Sequence, residues 1–263
     1  MNDYNKFGYL GSDPAKWLVA NKYDQEELYD LGLKINKFLH PLIFELKVHN
    51  KMIQEMLTVS LFLRSLSIYQ GVMLYIQRGM FQESKYLLRV LLEIKYKIIT
   101  ITKDIEFAKD FIFQDTFARR KRVKDYNNWS DQLKENNKKL DVDKLRSEIE
   151  KEIKDNNLEY HPTRWYAEKA ELLDDYYTAY VVLSGDMHMS ARELESDFII
   201  ENGEIVSLKT EPDIVESTPI LQTMINSMLK IANSLSNVFD IDISKEINDF
   251  NSEFKKICTA ECE

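Results

Sequence analysis

The stretch YVVLSGDMHMSARELESDF, residues 180 to 198, sets a hydroxyl, a carboxylate and an imidazole (Ser184, Asp186, His188) into an apolar helical run of Tyr180, Val181, Val182 and Leu183 that reads as core. Tyr177, Tyr180, Ser184 and His188 follow one another at spacings of 3, 4 and 4, which places them on one face of a helix. Histidine is the usual general acid or base near neutral pH. Ser184 beside His188 would suit a nucleophile, but no G-x-S-x-G elbow accompanies it. The other reading of the stripe is a satisfied polar seam between helices.

A second polar stripe lies in KYLLRVLLEIKYK. Lys85, Arg89, Glu93 and Lys97 recur every four residues, the pattern of a solvated helix face with salt bridges. If that face turns inward, the Arg89–Glu93 pair needs a polar partner, and the Tyr180–Ser184–His188 face is a candidate for it. In that arrangement Arg89 would grip a phosphate through its planar fork, Glu93 would orient the imidazole, and Tyr180 and Ser184 would position the substrate. Arginine and histidine without a metal suffice in principle to cleave RNA, whose 2′-OH supplies the nucleophile.

A third element is ARRKRVKDY, with Arg119, Arg120, Lys121, Arg122 and Lys124 within six residues. In a chain of net charge −9 this run is a local asymmetry. It suits a phosphate backbone, or it is the solvated part of a helix. The overall negative charge argues against broad coating of nucleic acid or anionic membrane. No metal site is expected: the four histidines, His40, His49, His161 and His188, stand in no paired ligand motif. No cofactor is expected either, since the chain has neither a P-loop nor G-x-G-x-x-G. Cys258 and Cys262 read as incidental tail thiols of a reducing compartment.

The elements that must position these residues read as helices. No Gly or Pro interrupts the chain between Gly79 and Pro162. Residues 1–23, with Gly8, Gly11 and Pro14, read as an irregular arm, and 24–263 as a single helical domain. Asp24 is placed as the cap of a helix to about Leu39, and Pro41 in the first turn of the next, which runs to about Met80 with a break near Asn50 or Gly71. Phe81 to Lys103 form another, and Asp104 caps a long successor. The apolar window 56–76 is long enough for a bilayer, but Arg64 and Gln70 inside it favour a buried central helix. The polar N-terminus carries no secretory signal, so the expected compartment is the cytoplasm.

Residues 127–160 are charged and read as a solvated helical hairpin projecting from the core; as a functional element it would be a partner-binding arm. Thr163 and Asp174 are placed as caps of the two helices that follow. Asn202-Gly203 between β-prone segments predicts a small hairpin near 198–208. Pro219 then starts a helix to about Phe239, and a last one follows Asp242. The fold class is all-α: a multi-helix bundle with an inserted hairpin and a minor β-hairpin. A homodimer is compatible with its apolar helix faces.

LLRVLLEIKYKI, RWYAEKAELLDDYYTAYVVLSGDMHMSARELESD and the Glu211-Pro212 turn before a final helical pair resemble the prokaryotic domain-of-unknown-function 5677 family. The matching pattern is Arg89-x-x-x-Glu93, then Trp165, then a Tyr-rich helix ending in Ser184-x-x-x-His188. The resemblance implies a helical fold and no defined activity. Members of that family look distantly similar to HEPN domains, which include RNA-cleaving toxins and abortive-infection proteins with Arg-x(4–6)-His on one helix. Here no Arg precedes His188 at that spacing, and Arg192 follows it; Arg89 would have to supply the cation from another helix. Two function classes therefore stand: a metal-independent ribonuclease or nucleotide-acting effector of a defence or toxin system, and a noncatalytic interaction or ligand-sensing module.

Overall fold

The computed structural model describes residues 7–11, 26–136, 141–186, 195, 198–208 and 217–260. His188, Arg192 and the N-terminal residues that include Asp24 lie outside them, as do Cys262 and the Glu211-Pro212 turn. The bundle is all-α, with helices α1 (Glu26–Leu42), α2 (Ile53–Gln77), α3 (Phe81–Lys103) and α4 (Ile105–Asp125) in its first half. Shorter helices α5 (Asp131–Asn136), α6 (Val142–Asp155) and α7 (Thr163–Lys169) follow. Next comes α8, in which Leu173–Asp175, a π-helical turn Tyr176–Tyr180 and Val181–Asp186 succeed one another without a break. Helices α9 (Ser217–Ser234) and α10 (Ser244–Ala260) complete the described chain.

The main core is built by α1, α2, α3, α9 and α10, around residues such as Ile35, Phe62, Leu91, Met224 and Ile247. A smaller aromatic core lies on the other side of α3, where Leu92 and Tyr96 meet Tyr166 and Ala167 of α7 and Tyr180 of α8. Helix α3 is thus a wall shared by two clusters, which is why apolar residues occupy most of its circumference.

The start and end of α3 match the expectation, because Gly79 takes φ 77° just before it and Asp104 leaves the helical region just after. Asp104 then caps α4, accepting the Glu106 backbone N–H at 3.0 Å. Pro41 departs from expectation: α1 runs through it to Leu42, so it sits in a last turn, where its missing N–H and ring clash matter only to the preceding turn. Thr163 opens α7 without a side-chain cap, and Asp174 lies inside α8, not before it. The break in helix before α2 falls near Asn50, with Lys51 at φ 74°. Gly71 is helical, and α3 packs so close that a Cβ there would stand 2.8 Å from Leu87 Cδ1.

Helix α2 is long and apolar enough, by length and composition, to cross a membrane. In the bundle Phe62, Leu66, Tyr69, Val72 and Ile76 are buried in the main core, and α2 packs against α1, α3 and α9. Strands β1 (Phe198–Glu201) and β2 (Glu204–Leu208) form the expected antiparallel hairpin. Its turn residues Asn202 and Gly203 both have positive φ, 54° and 84°, as a two-residue turn matched to strand twist requires.

Candidate functional site

The two stripes do meet. Arg89 Nε donates to Ser184 Oγ at 3.0 Å, and Nη2 donates to the Tyr180 hydroxyl at 2.7 Å. Nη1 stands 3.8 Å from Glu93 Oε2. The guanidinium carbon also lies 4.8 Å from the centroid of the Tyr180 ring, a cation–π contact. Glu93 receives Lys97 Nζ at 2.6 Å on its other oxygen. The stripe on α3 therefore runs along the edge of the core: Arg89, Glu93 and Lys97 are 24%, 28% and 24% exposed.

Ser184 is engaged on both sides. Its hydroxyl accepts from Arg89 and donates to the Tyr180 carbonyl at 2.7 Å. A hydroxyl whose proton is committed to a backbone carbonyl and whose oxygen faces a guanidinium is poorly prepared as a nucleophile. Where His188 stands relative to this group lies outside the described residues.

The expected four-residue face breaks at its N-terminal end. Tyr180 is buried, but Tyr177 is half exposed and accepts from Arg164 Nε at 2.9 Å. The cause is the π-turn Tyr176–Tyr180, which advances fewer degrees per residue than an α-helix. It brings Tyr176, not Tyr177, onto Tyr180, with stacked rings 5.2 Å apart. Val181 and Val182, expected in the core, are exposed, and Leu183 is half buried.

A charged centre that the sequence pattern did not single out lies one face away. Lys95 is fully buried. Its Nζ donates to Asp175 Oδ2 at 2.5 Å and to Ser227 Oγ at 3.1 Å. The Tyr96 hydroxyl donates to the same Asp175 oxygen at 2.6 Å. Lys95 thereby joins α3 to α8 on one side of the wall and to α9 on the other. Burial pulls its pKa down to about 8, against the opposing pull of Asp175 and with a small further push from Lys230. Burial, and then the bond to Asp175, push the Tyr96 phenol well above the usual tyrosine range. The missed signal was positional: Leu88, Leu91, Lys95 and Ile98 recur at heptad spacing, so Lys95 sits in the buried stripe of α3.

Two arginines of the basic run on α4, Arg119 and Arg120, meet α6. Arg120 makes a two-pronged pair with Glu150, at 2.7 and 3.0 Å. Arg119 reaches Glu152 at 3.3 Å, and Arg122 reaches Asp115 at 3.6 Å. Lys121 and Lys124 are exposed. Helix α6 is thus folded along α4, held also by Thr116 donating to Glu152 at 2.8 Å and by buried Ile149. This part of the charged 127–160 insert packs along α4. Among the described residues, no group of His, Cys, Asp and Glu converges as a metal site.

The chain matches the family of unknown function DUF5677 over residues 55–205, more than half its length, and belongs to that family. The matched span holds both stripes, the Lys95–Asp175 pair and the first strand and turn of the hairpin. No curated protein and no solved structure gives a significant match.

Proposed function

We propose that the chain is a noncatalytic helical module that senses a ligand or holds a partner, with the Arg89 seam as the joint that sets α8 against α3. One observation carries this reading: all three guanidinium nitrogens of Arg89 face protein groups. A phosphate-gripping arginine needs at least one prong of its fork free for the ligand. The π-turn in α8 supports the reading, since such turns recur where helices do functional work. So do the links that tie α8 to α7, Arg164 to Tyr177 and, at 3.5 Å, the Tyr180 hydroxyl to Thr163 Oγ1. Any partner would dock on the 127–160 insert.

A second reading, a metal-independent ribonuclease or nucleotide-acting effector in defence or toxin systems, draws on a separate observation. Arg89 and Lys97 keep about a quarter of their side-chain surface in water, and His188 follows Ser184 by four residues in the sequence. There His188 would be the acid–base, Arg89 the phosphate ligand and Glu93 the orienting carboxylate.

The test is RNA integrity in cells after inducing the wild type, Arg89→Ala and His188→Ala at matched folded levels. The module reading expects intact RNA in all three and a destabilised Arg89→Ala protein. RNA breakdown with the wild type that vanishes in His188→Ala overturns it in favour of the effector.

A further inference from the structure

Away from the seam, α4, α7 and the loop between α6 and α7 enclose a cleft of about 370 Å³. That is the size of a pocket for a small organic molecule. Four of its eleven lining residues are aromatic, Phe107, Phe113, Trp165 and His161, and most of the others are polar or charged. The His161 imidazole stacks flat on the Trp165 indole, 3.8 Å apart and 4° from parallel. Phe107 meets the same indole edge-on at 5.7 Å.

The cleft is held in shape before anything enters it. Helix α6 ends in a Schellman turn, with Asn157 at φ 50° and the Leu158 N–H bonded to the Ile153 carbonyl at 2.9 Å. That turn sends the chain back to α4, where Gln114 clamps it. The Gln114 amide donates to the Glu159 carbonyl at 2.9 Å and accepts the His161 backbone N–H at 2.9 Å. A loop tied down this way loses little further freedom on binding.

The charge in the cleft has a sign. Asp110 and Glu159 line it, with Lys169 as the opposing cation. Asp110 Oδ2 stands 3.9 Å from His161 Nε2. Close enough to feel the Asp110 charge is the buried Tyr166 hydroxyl, which has no hydrogen-bond partner among the described residues. The Lys169 ammonium already lies 5.6 Å from the centre of the Trp165 ring. The molecule's own cation therefore occupies an aromatic surface of the cleft, which is the interaction a cationic ligand would use.

We propose that this cleft is a binding site for a small organic cation, an amine or guanidine, which takes the Trp165 surface from Lys169 and pairs with Asp110. Anionic ligands such as nucleotides are disfavoured by the two carboxylates. Occupancy stands on the cleft's own geometry. Only its consequence, a change in α8 passed through α7, rests on the sensing reading above.

The test is a fluorescence titration of full-length protein carrying Trp17→Phe and Trp129→Phe, so that Trp165 reports alone. The probes are agmatine and choline, with choline's uncharged carbon isostere and AMP as controls. Saturable quenching by the cations at about millimolar concentrations or below is expected, with the isostere and AMP silent. Asp110→Asn should weaken binding about fivefold, and Lys169→Met, which removes the internal competitor, should tighten it about threefold. The second variant guards the first, since a gain in affinity cannot come from a folding defect. Equal quenching by the isostere, binding of AMP that Lys169→Met weakens, or no saturable change overturns the proposal. Saturable quenching by the cations with unchanged amide exchange across Leu173–Asp186 upholds the site and overturns the sensing reading instead.

Discussion

Arg89 and Tyr180 meet twice, through a 2.7 Å hydrogen bond to the phenol oxygen and through a guanidinium 4.8 Å from the ring centroid. The two contacts respond differently to substitution. Tyr180→Phe keeps the ring and loses the acceptor, and should cost about 1 kcal/mol. Arg89→Ala loses the fork, the stacking and the aliphatic stem together, and should cost about 2 to 3 kcal/mol. Arg89→Lys should recover less than half of that, because an ammonium cannot serve Ser184, Tyr180 and Glu93 from one plane. Urea unfolding of the three variants checks the order. Equal stability of all three with the wild type would mean that the seam does not hold α8.

The Lys95–Asp175 pair predicts a different pattern. Lys95→Met leaves the Asp175 carboxylate with the Tyr96 hydroxyl alone, in a largely buried site. Breaking one side of a buried pair costs about 3 kcal/mol or more. Lys95→Met with Asp175→Asn removes both charges and should recover at least half of the loss. A double variant as unstable as the sum of two single ones would show that the charges are not coupled.

How far the sequence reached these groups depends on local punctuation. Helix α3 was readable end to end because Gly79 and Asp104 mark its limits, and the hairpin because Asn202-Gly203 fits one turn type. The meeting of Arg89 with Tyr180 and Ser184 followed from asking what a charged stripe on an otherwise apolar helix would need. Lys95 was hidden because its neighbours Glu93 and Lys97 make a plausible solvated stripe, and a lone lysine between Ile94 and Tyr96 looks like part of it. The π-turn has no sequence signature of its own, so Tyr177 was placed on the wrong face. Nor does composition say that Glu150 and Glu152 come back to Arg120 and Arg119, since that pairing depends on how α6 packs against α4.

Lys95 also makes stability depend on pH. Its folded pKa of about 8 lies below the ordinary lysine value of 10.5. Between those two values the unfolded chain binds more protons than the folded one, so this group's contribution to stability rises with pH across that window. Below about pH 8 both states are protonated, and the penalty of burying the charge is fully present. The gain is at most about 3 kcal/mol. The Tyr96 phenol acts in the opposite sense above the usual tyrosine range, because unfolding lets it ionise. Chemical denaturation from about pH 8 to pH 9.5 should therefore show wild-type stability rising relative to Lys95→Met. Parallel curves would mean that Lys95 titrates at the usual lysine value.

The pairing of α4 with α6 makes a prediction about nucleic acid. With Arg119 and Arg120 held by Glu152 and Glu150, the basic run presents less free positive charge than its composition suggests. The wild type should bind a single-stranded RNA oligomer weakly at physiological salt. Glu150→Gln with Glu152→Gln releases both guanidinium groups. Each additional phosphate contact then displaces roughly one condensed counterion, so binding should tighten and the salt dependence should steepen by about 1 to 2 in slope. Fluorescence anisotropy across a salt series reads both quantities. If the wild type already binds tightly and Arg120→Ala abolishes it, the arginine reaches phosphate in spite of Glu150, and α6 would have to move away from α4 when RNA arrives.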